Sequence, residues 1–105
     1  MENNADLRYD ERRCQVALID MNSVTFPLII RSIRPGDRFS PLGMTGSQKV
    51  KTFFINQKVS VRDRKRGFVV VCGDRIIWLA GYRIDHGVRI VPATKSVLKL
   101  ELSLA

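Results

Sequence analysis

Histidine occurs once in this sequence and cysteine twice, with no C-x-x-C pair. A zinc set cannot be completed from such a supply. The longest apolar runs, such as FVVVC (68–72), fall far short of the roughly 20 residues that a membrane-spanning helix requires. The opening residues, MENNADLRYDERR, mix acids and bases without an apolar stretch, so they are not expected to act as a signal peptide. Cys14 and Cys72 stand in the apolar contexts CQVALI and VVVCG, so a reduced, cytoplasmic domain is expected, with a Cys14–Cys72 disulfide as the alternative.

Catalytic constellations are missing as well. There is no P-loop, no G-x-G-x-x-G and no nucleophile elbow. Gly43-Met44-Thr45-Gly46 has the look of a phosphate loop, but it lacks the Gly-Lys-Ser/Thr ending that positions a lysine and a magnesium ligand. His86 follows Asp85 with no candidate nucleophile beside it and reads as a solvent-exposed turn histidine. Asp37, Asp63, Asp74 and Asp85 fall in turns or among arginines, where capping and ion pairing account for them. The expected catalytic residues are none, the expected metal ligands are none, and the chain is expected to bind no cofactor of its own.

What the sequence does have is positive charge in one place. The 105 residues carry a net charge of +8. Residues 31 to 66 hold ten basic side chains against Asp37 and Asp63, whereas the rest of the chain holds eight basic and eight acidic groups. All the excess charge therefore sits in about a third of the chain. A concentrated excess points to a polyanion-facing surface, with a merely solvated face as the bland alternative.

The length allows one domain, and 45% hydrophobic residues suffice for a small core. Residues 1–12 read as a tail or linker remnant ahead of a domain spanning 13–105. CQVALID and VTFPLIIRSI read as strands joined by turn-forming Asp20-Met21-Asn22-Ser23, and Pro27 argues for an edge strand or a bulge. Pro35-Gly36-Asp37 stops the second strand. Ser47 is a candidate N-cap for a short amphipathic helix, with Val50, Phe53 and Phe54 inward at i, i+3 and i+4 and Lys49 and Lys51 outward. Asn56-Gln57 ends it, and SVRDRKR (60–66) can form a second short helix from Ser60. FVVVC and RIIWLAGYRI, separated by Gly73-Asp74, form a hairpin, and VLKLELSL alternates at period two. The expected class is α+β, with helices grouped in the middle of mostly antiparallel strands.

These observations favour backbone recognition of a structured RNA or duplex. The candidate RNA-binding residues are Arg34, Arg38, Lys49, Lys51, Lys58, Arg62, Arg64, Lys65 and Arg66. Gly36, Asp37, Pro41, Gly43 and Gly46 are the candidate loop-shaping residues, and the Gly43–Ser47 stretch is expected to feed a helix N-terminus able to meet an anion. Phe53, Phe54, Phe68 and Trp78 lie on apolar faces and are assigned to the core, which leaves little for a stacking platform.

GDRFSPLGMTGSQKVKTFFINQKVSVRDR, followed by GDRIIWLAGYRID, resembles the C-terminal domain of bacterial tRNA(Ile)-lysidine synthases. The resemblance is carried by Gly36, Asp37, Arg38, Phe39, Pro41, Gly43, Met44 and Gly46, then Lys49, Lys51, Phe54, Asn56, Lys58, Arg64, Trp78 and Gly81. It spans roughly residues 29 to 102. Each short piece is weak alone, and the ordered set is specific. The chain departs from the family pattern at Asn56, where an acid is common, and at Ser60 and Phe68, where proline is usual.

The resemblance implies a fold with β-sandwich character, related to a domain of the phenylalanyl-tRNA synthetase β subunit. It also implies a role. A separate N-terminal ATP-pyrophosphatase domain, using ATP and Mg, would adenylate the wobble cytidine of a minor isoleucine tRNA and join lysine to it. This chain would dock the acceptor-stem region of that tRNA in the cytoplasm, alongside its own catalytic domain and away from any membrane. Docking predicts that Arg38, Lys49, Lys51 and Arg64 share one surface. The alternative is a protein-interaction or structural domain, its basic face packed on the parent enzyme's acidic surface to set domain geometry or dimerisation; a homodimer is compatible with it.

Overall fold

The computed structural model of the chain describes residues 16–102. The expected tail at residues 1–12 lies outside them, as does Cys14. Eight strands and two short α-helices follow one another as β1 (Val16–Asp20), β2 (Leu28–Ser32), β3 (Arg38–Phe39), β4 (Gln48–Lys49), α1 (Val50–Asn56), α2 (Val61–Lys65), β5 (Phe68–Cys72), β6 (Arg75–Leu79), β7 (Arg83–Ile84) and β8 (Val97–Glu101).

A four-stranded antiparallel sheet in the order β2-β5-β6-β7 forms the middle layer. The apolar run FVVVC becomes one of its two inner strands, paired with β2 and β6, and both of its faces are covered. Val70 enters a core with Ala17, Ile19, Trp78 and Val88, while Val69 and Val71 enter a second core with Phe39, Val50, Phe53 and Phe54. Leu98 and Leu100, from the antiparallel ribbon β1–β8, pack against the first core. Helix α1 covers the other face. The α+β class with sandwich character is thus observed as two ribbons of sheet facing one another, with helices behind the larger one.

A bulge in the β5–β6 pairing shapes the first core. Val70 pairs with Trp78 and Val71 with Ile76, so Ile77 is the extra residue. Normal alternation would send Ile77 and Trp78 to opposite faces; with the bulge both enter the same core. The β5–β6 hairpin turns on Gly73-Asp74, with Gly73 at φ 65, as a two-residue turn with glycine first requires. Pro27 follows a cis peptide bond and precedes β2, an edge strand where a missing donor costs no ladder bond.

The segment between β2 and α1 differs from the sequence-based reading. It is not simply a loop, because Arg38–Phe39 and Gln48–Lys49 pair as a small antiparallel ribbon. Consequently Ser47 is not the N-cap of the helix. Lys49, extended at φ −67 and ψ 139, takes that position without a side-chain cap. The Val50 N–H is satisfied instead by the Asp37 carbonyl at 2.9 Å, and Ser47 Oγ accepts from Arg38 Nε at 3.1 Å. The Gly43–Ser47 stretch accordingly feeds a strand, not a helix terminus. The long run RIIWLAGYRI also divides, into β6 and β7, around Gly81 at φ 82.

Helix α1 does bury Val50, Phe53 and Phe54. Phe39, Phe53, Phe54 and Tyr82 form a continuous edge-to-face and tilted series, with centroids 5.4, 6.4 and 5.3 Å apart, each such contact adding to the area it buries. Its C-terminus closes by two bonds, from Lys58 N–H to the Ile55 carbonyl and from Val59 N–H to the Phe54 carbonyl, both 3.0 Å. That pair of bonds defines a Schellman cap and places Lys58 at φ 58. Helix α2 then starts where expected, with Ser60 Oγ accepting from Asp63 N–H at 3.1 Å.

Lys58 is the one non-glycine residue at positive φ among the described residues, a conformation that costs an L-residue about 1 kcal/mol. Lys58→Gly is expected to raise the unfolding free energy by roughly 0.5–1 kcal/mol, and Lys58→Val to lower it by about 1–2 kcal/mol. Urea denaturation midpoints at constant m-value check both directions.

Candidate nucleic-acid interface

The candidate surface is organised by Asp37. Its Oδ2 accepts from Arg31 Nη1 at 2.9 Å and its Oδ1 from Arg31 Nη2 at 3.0 Å, a bidentate pair. Oδ2 also accepts from the Arg34 backbone N–H at 2.7 Å. The Asp37 N–H in turn donates to the Arg34 carbonyl at 3.1 Å, closing the turn over Pro35-Gly36. Because the Asp37 carbonyl holds Val50 N–H, one residue fixes both the turn after β2 and the start of α1. The side chains of Arg31 and Asp37 are only 21% and 10% exposed, so the pair is worth more than a surface ion pair. Burial alone would push the Asp37 carboxyl up, but the Arg31 guanidinium, the Arg34 N–H and both arginine charges outweigh it and hold it below the usual range.

This arrangement sets the walls of a groove of about 790 Å³ between the 32–37 turn, the start of α1 and the end of α2. Arg34, Lys49, Lys51, Arg64 and Lys65 line it, and Asp37 is its lone carboxylate, already neutralised by Arg31. Ile33, Phe54 and Val61 supply an apolar floor. Gly67 lies at the back, where a Cβ would come within 2.6 Å of Ile33 Cδ1 and 3.2 Å of the Arg64 carbonyl. Arg64 is half-buried, and its Nε donates to the Val59 carbonyl at 3.0 Å. It braces the α1–α2 connection as well as contributing charge.

Of the four basic residues expected to share a surface, Lys49, Lys51 and Arg64 line this groove, joined by Arg34 and Lys65. Arg38 does not. It lines a second depression, although it is the cross-strand partner of Lys49. Lys58, Arg62 and Arg66 are exposed but line neither. Among the loop-shaping candidates, Gly36, Gly43 and Gly46 have φ of 89, 91 and 83 with open space where a Cβ would stand. Backbone conformation, not crowding within the chain, calls for glycine there. Pro41 is buried and forms a bridge to Asp85.

Asp85 is more than a turn residue. It is 5% exposed, and its two carboxylate oxygens accept from the Ser40 and Gly87 N–H groups at 2.8 and 2.9 Å. His86 is half-buried rather than fully exposed, and its Nδ1 accepts from the Gly43 N–H at 3.3 Å. The second depression, which includes Thr45, Asp74, Arg75 and His86, escaped sequence reading because its residues come from three distant segments. No spacing rule links them. Phe53, Phe54 and Trp78 are buried and Phe68 packs on the first core, so these four offer no stacking platform. Among the described residues no group of three or more His, Cys, Asp or Glu gathers as a metal ion would require, and no helix is long and apolar enough to cross a membrane.

A family model described as the TilS substrate C-terminal domain matches residues 28–100. The chain belongs to the TilS C-terminal domain family. It is 36% identical over 88 residues to a tRNA(Ile)-lysidine synthase of Parabacteroides distasonis, covering 84% of this chain and 20% of that protein. With the tRNA(Ile)-lysidine synthase of Geobacter sulfurreducens the identity is 41% over 78 residues, 74% of this chain and 17% of that one. The chain thus spans about a fifth of the length of these curated relatives. Among solved structures, a TilS C-terminal domain crystal structure superposes with a TM-score of 0.67 at 24% identity, covering 99% of this chain and 78% of the other. An N-terminal fragment of the phenylalanyl-tRNA synthetase β subunit from Pyrococcus horikoshii gives 0.72 at 14% identity, covering 89% and 30%. These two likenesses establish a shared fold, in which the TilS C-terminal domain family sets its helices behind an antiparallel sheet.

The Asp37 clamp makes a pH prediction. Its carboxyl is depressed in the folded state, so its stabilisation is complete above the unfolded value of about 3.9 and is lost as pH falls through the lower folded value. Asp37→Asn is expected to cost roughly 2–3 kcal/mol at pH 7 and to flatten the acid limb of the stability curve. Chemical denaturation between pH 7 and pH 3 measures both; an acid limb as steep in the variant as in the parent would remove Asp37 from this role.

Proposed function

We propose that this chain is the tRNA-docking domain of a tRNA(Ile)-lysidine synthase. Its basic groove holds phosphates of the acceptor-stem region of a minor isoleucine tRNA. A separate ATP-pyrophosphatase domain of the same enzyme, with ATP and Mg, converts the wobble cytidine to lysidine. On this reading the chain contributes selection and placement of the substrate, carries no catalytic residue, and works in the cytoplasm where tRNA is modified.

The observation that carries the reading is the convergence of Arg34, Lys49, Lys51, Arg64 and Lys65 on one groove in a member of this family. Four of the five are exposed lysine or arginine side chains. Each phosphate they meet releases condensed counterions, giving affinity that falls with salt and does not depend on sequence. A rigid groove set by Asp37 orders those charges before the RNA arrives, which lowers the entropy lost on binding. Detached from the rest of its enzyme the domain binds weakly, since tethering supplies effective concentration.

A second reading, a contact surface for the parent enzyme, has its own observation. Phe26, just before the edge strand β2, and Ile29 and Ile30 within it are 59%, 52% and 68% exposed, and among the described residues β2 pairs with β5 alone. This apolar edge, and not the basic groove, suits packing against the catalytic domain. The two readings use different surfaces and separate cleanly by mutation.

Arg34→Ala, Lys49→Ala, Lys51→Ala and Lys65→Ala are each expected to weaken tRNA binding roughly fivefold, about 1 kcal/mol, and to lower the magnitude of the salt slope by about one unit. Arg64 is left intact because it braces the fold. Fluorescence anisotropy over a salt series with the folded quadruple variant is the check. Parent-like binding at every salt concentration would rule out the groove as the docking surface.

A further inference from the structure

The β3–β4 ribbon borders not only the basic groove but also the second depression, of about 670 Å³, whose chemistry is different. The basic groove offers cations and no uncommitted carboxylate. Here Arg38, Met44, Thr45, Asp74, Arg75 and His86 bring together two guanidinium groups, a hydroxyl, an imidazole, a carboxylate and a thioether.

Both guanidinium groups are held in place with donors to spare. Arg38 donates from Nε to Ser47 Oγ at 3.1 Å and from Nη2 to the Ser47 carbonyl at 3.3 Å. Arg75 Nη2 donates to the Ser23 carbonyl at 2.9 Å. Each leaves at least one further N–H group for a ligand. His86 accepts from Gly43 N–H at Nδ1, so its neutral ring carries the proton on Nε2 and is a donor there. Asp74, at the exposed tip of the β5–β6 hairpin, takes part in no hydrogen bond or ion pair among the described residues.

A site built only for phosphate has no use for that carboxylate, which repels phosphate. A nucleotide is different, because its base edge presents donors as well as acceptors. An exocyclic amine can donate to Asp74, the sugar and phosphate can accept from Arg38, Arg75 and Thr45, and Met44, 38% exposed, offers a polarisable surface to a base face. Position matters too. Arg38 and Lys49 are directly opposite in register, which sets their Cα atoms about 5 Å apart. An RNA strand leaving the basic groove past Lys49 meets Arg38, at the border of this depression, next.

We propose that this depression takes one unpaired nucleotide adjoining the duplex whose phosphates the basic groove holds. The inference rests on the RNA-docking reading above and adds to it a base-contacting subsite. It makes the domain a reader of the junction between paired and unpaired RNA, where base edges are open to contact.

The test compares two short RNA duplexes, one blunt and one with a single unpaired nucleotide at one 3′ end, by anisotropy at fixed salt. The readout is the ratio of their dissociation constants within each variant. The parent chain is expected to bind the overhang duplex fivefold to tenfold more tightly. Asp74→Asn and Thr45→Ala, both at exposed turn or loop positions, should bring that ratio close to one. Lys51→Ala should weaken both duplexes and keep the ratio. Pure electrostatics predicts the opposite sign for Asp74→Asn, since losing a negative charge would tighten both complexes. A parent ratio near one, or a ratio untouched by Asp74→Asn and Thr45→Ala, overturns the nucleotide subsite while leaving groove docking standing. Failure of the parent to bind either duplex overturns the docking reading and this inference with it.

Discussion

The bidentate pair between Arg31 and Asp37 is the contact on which the basic groove depends. Arg31 stands on β2, opposite Val69 of the inner strand, and faces the helix layer beside it. Asp37 begins the β3–β4 ribbon region and, through its carbonyl, receives the first N–H of α1. A single carboxylate thereby ties the sheet, the turn and the helix start together. The same residue neutralises the half-buried Arg31, while Arg34, Lys49, Lys51 and Lys65 remain exposed. Fold stability and groove geometry are in this sense one property, and acid weakens both together.

The central sheet supplies the rigidity behind that clamp. FVVVC is buried on both faces, and the bulge at Ile77 lets β6 contribute two large side chains to the sandwich core without starving the helix side. The aromatic series from Phe39 to Tyr82 then pins α1 to the sheet. With Phe53 and Phe54 committed to that task, the helix's polar flank is what remains for a ligand. Five cations converge because three short elements end at the same place, not because one element carries them all. Such a surface gathers positive charge from separate segments into one groove, which is the arrangement the docking proposal uses.

Much of this was legible in the sequence. The strands, both helices, the Gly73-Asp74 hairpin and the inward set Val50, Phe53 and Phe54 follow from apolar periodicity and turn chemistry, which are local. The ribbon β3–β4 was not legible, because two-residue strands carry no periodicity and are formed by a tertiary pairing across Pro41–Ser47. Ser47 misled for the same reason: serine three residues before an apolar i, i+3, i+4 pattern looks like a cap until the pairing pulls the chain straight. Charge density marked the third of the chain that supplies the groove's cations. It could not separate Lys49 from Lys58, since the Schellman turn at Lys58 and the register at Arg38 decide which cations converge. The buried carboxylate of Asp85 and the mixed depression beside it come from residues some 40 positions apart, and no one-dimensional pattern marks them.

The account stands or falls on where RNA touches the domain. Titration of the isotopically labelled chain with an acceptor-stem RNA duplex, followed by amide chemical shifts, locates that contact residue by residue. The largest changes are expected at Arg34, Lys49, Lys51, Lys65 and Gly67, with the β1–β8 ribbon on the far side of the sheet unmoved. Changes concentrated on that ribbon or on the β2 edge, with the groove silent, would contradict it.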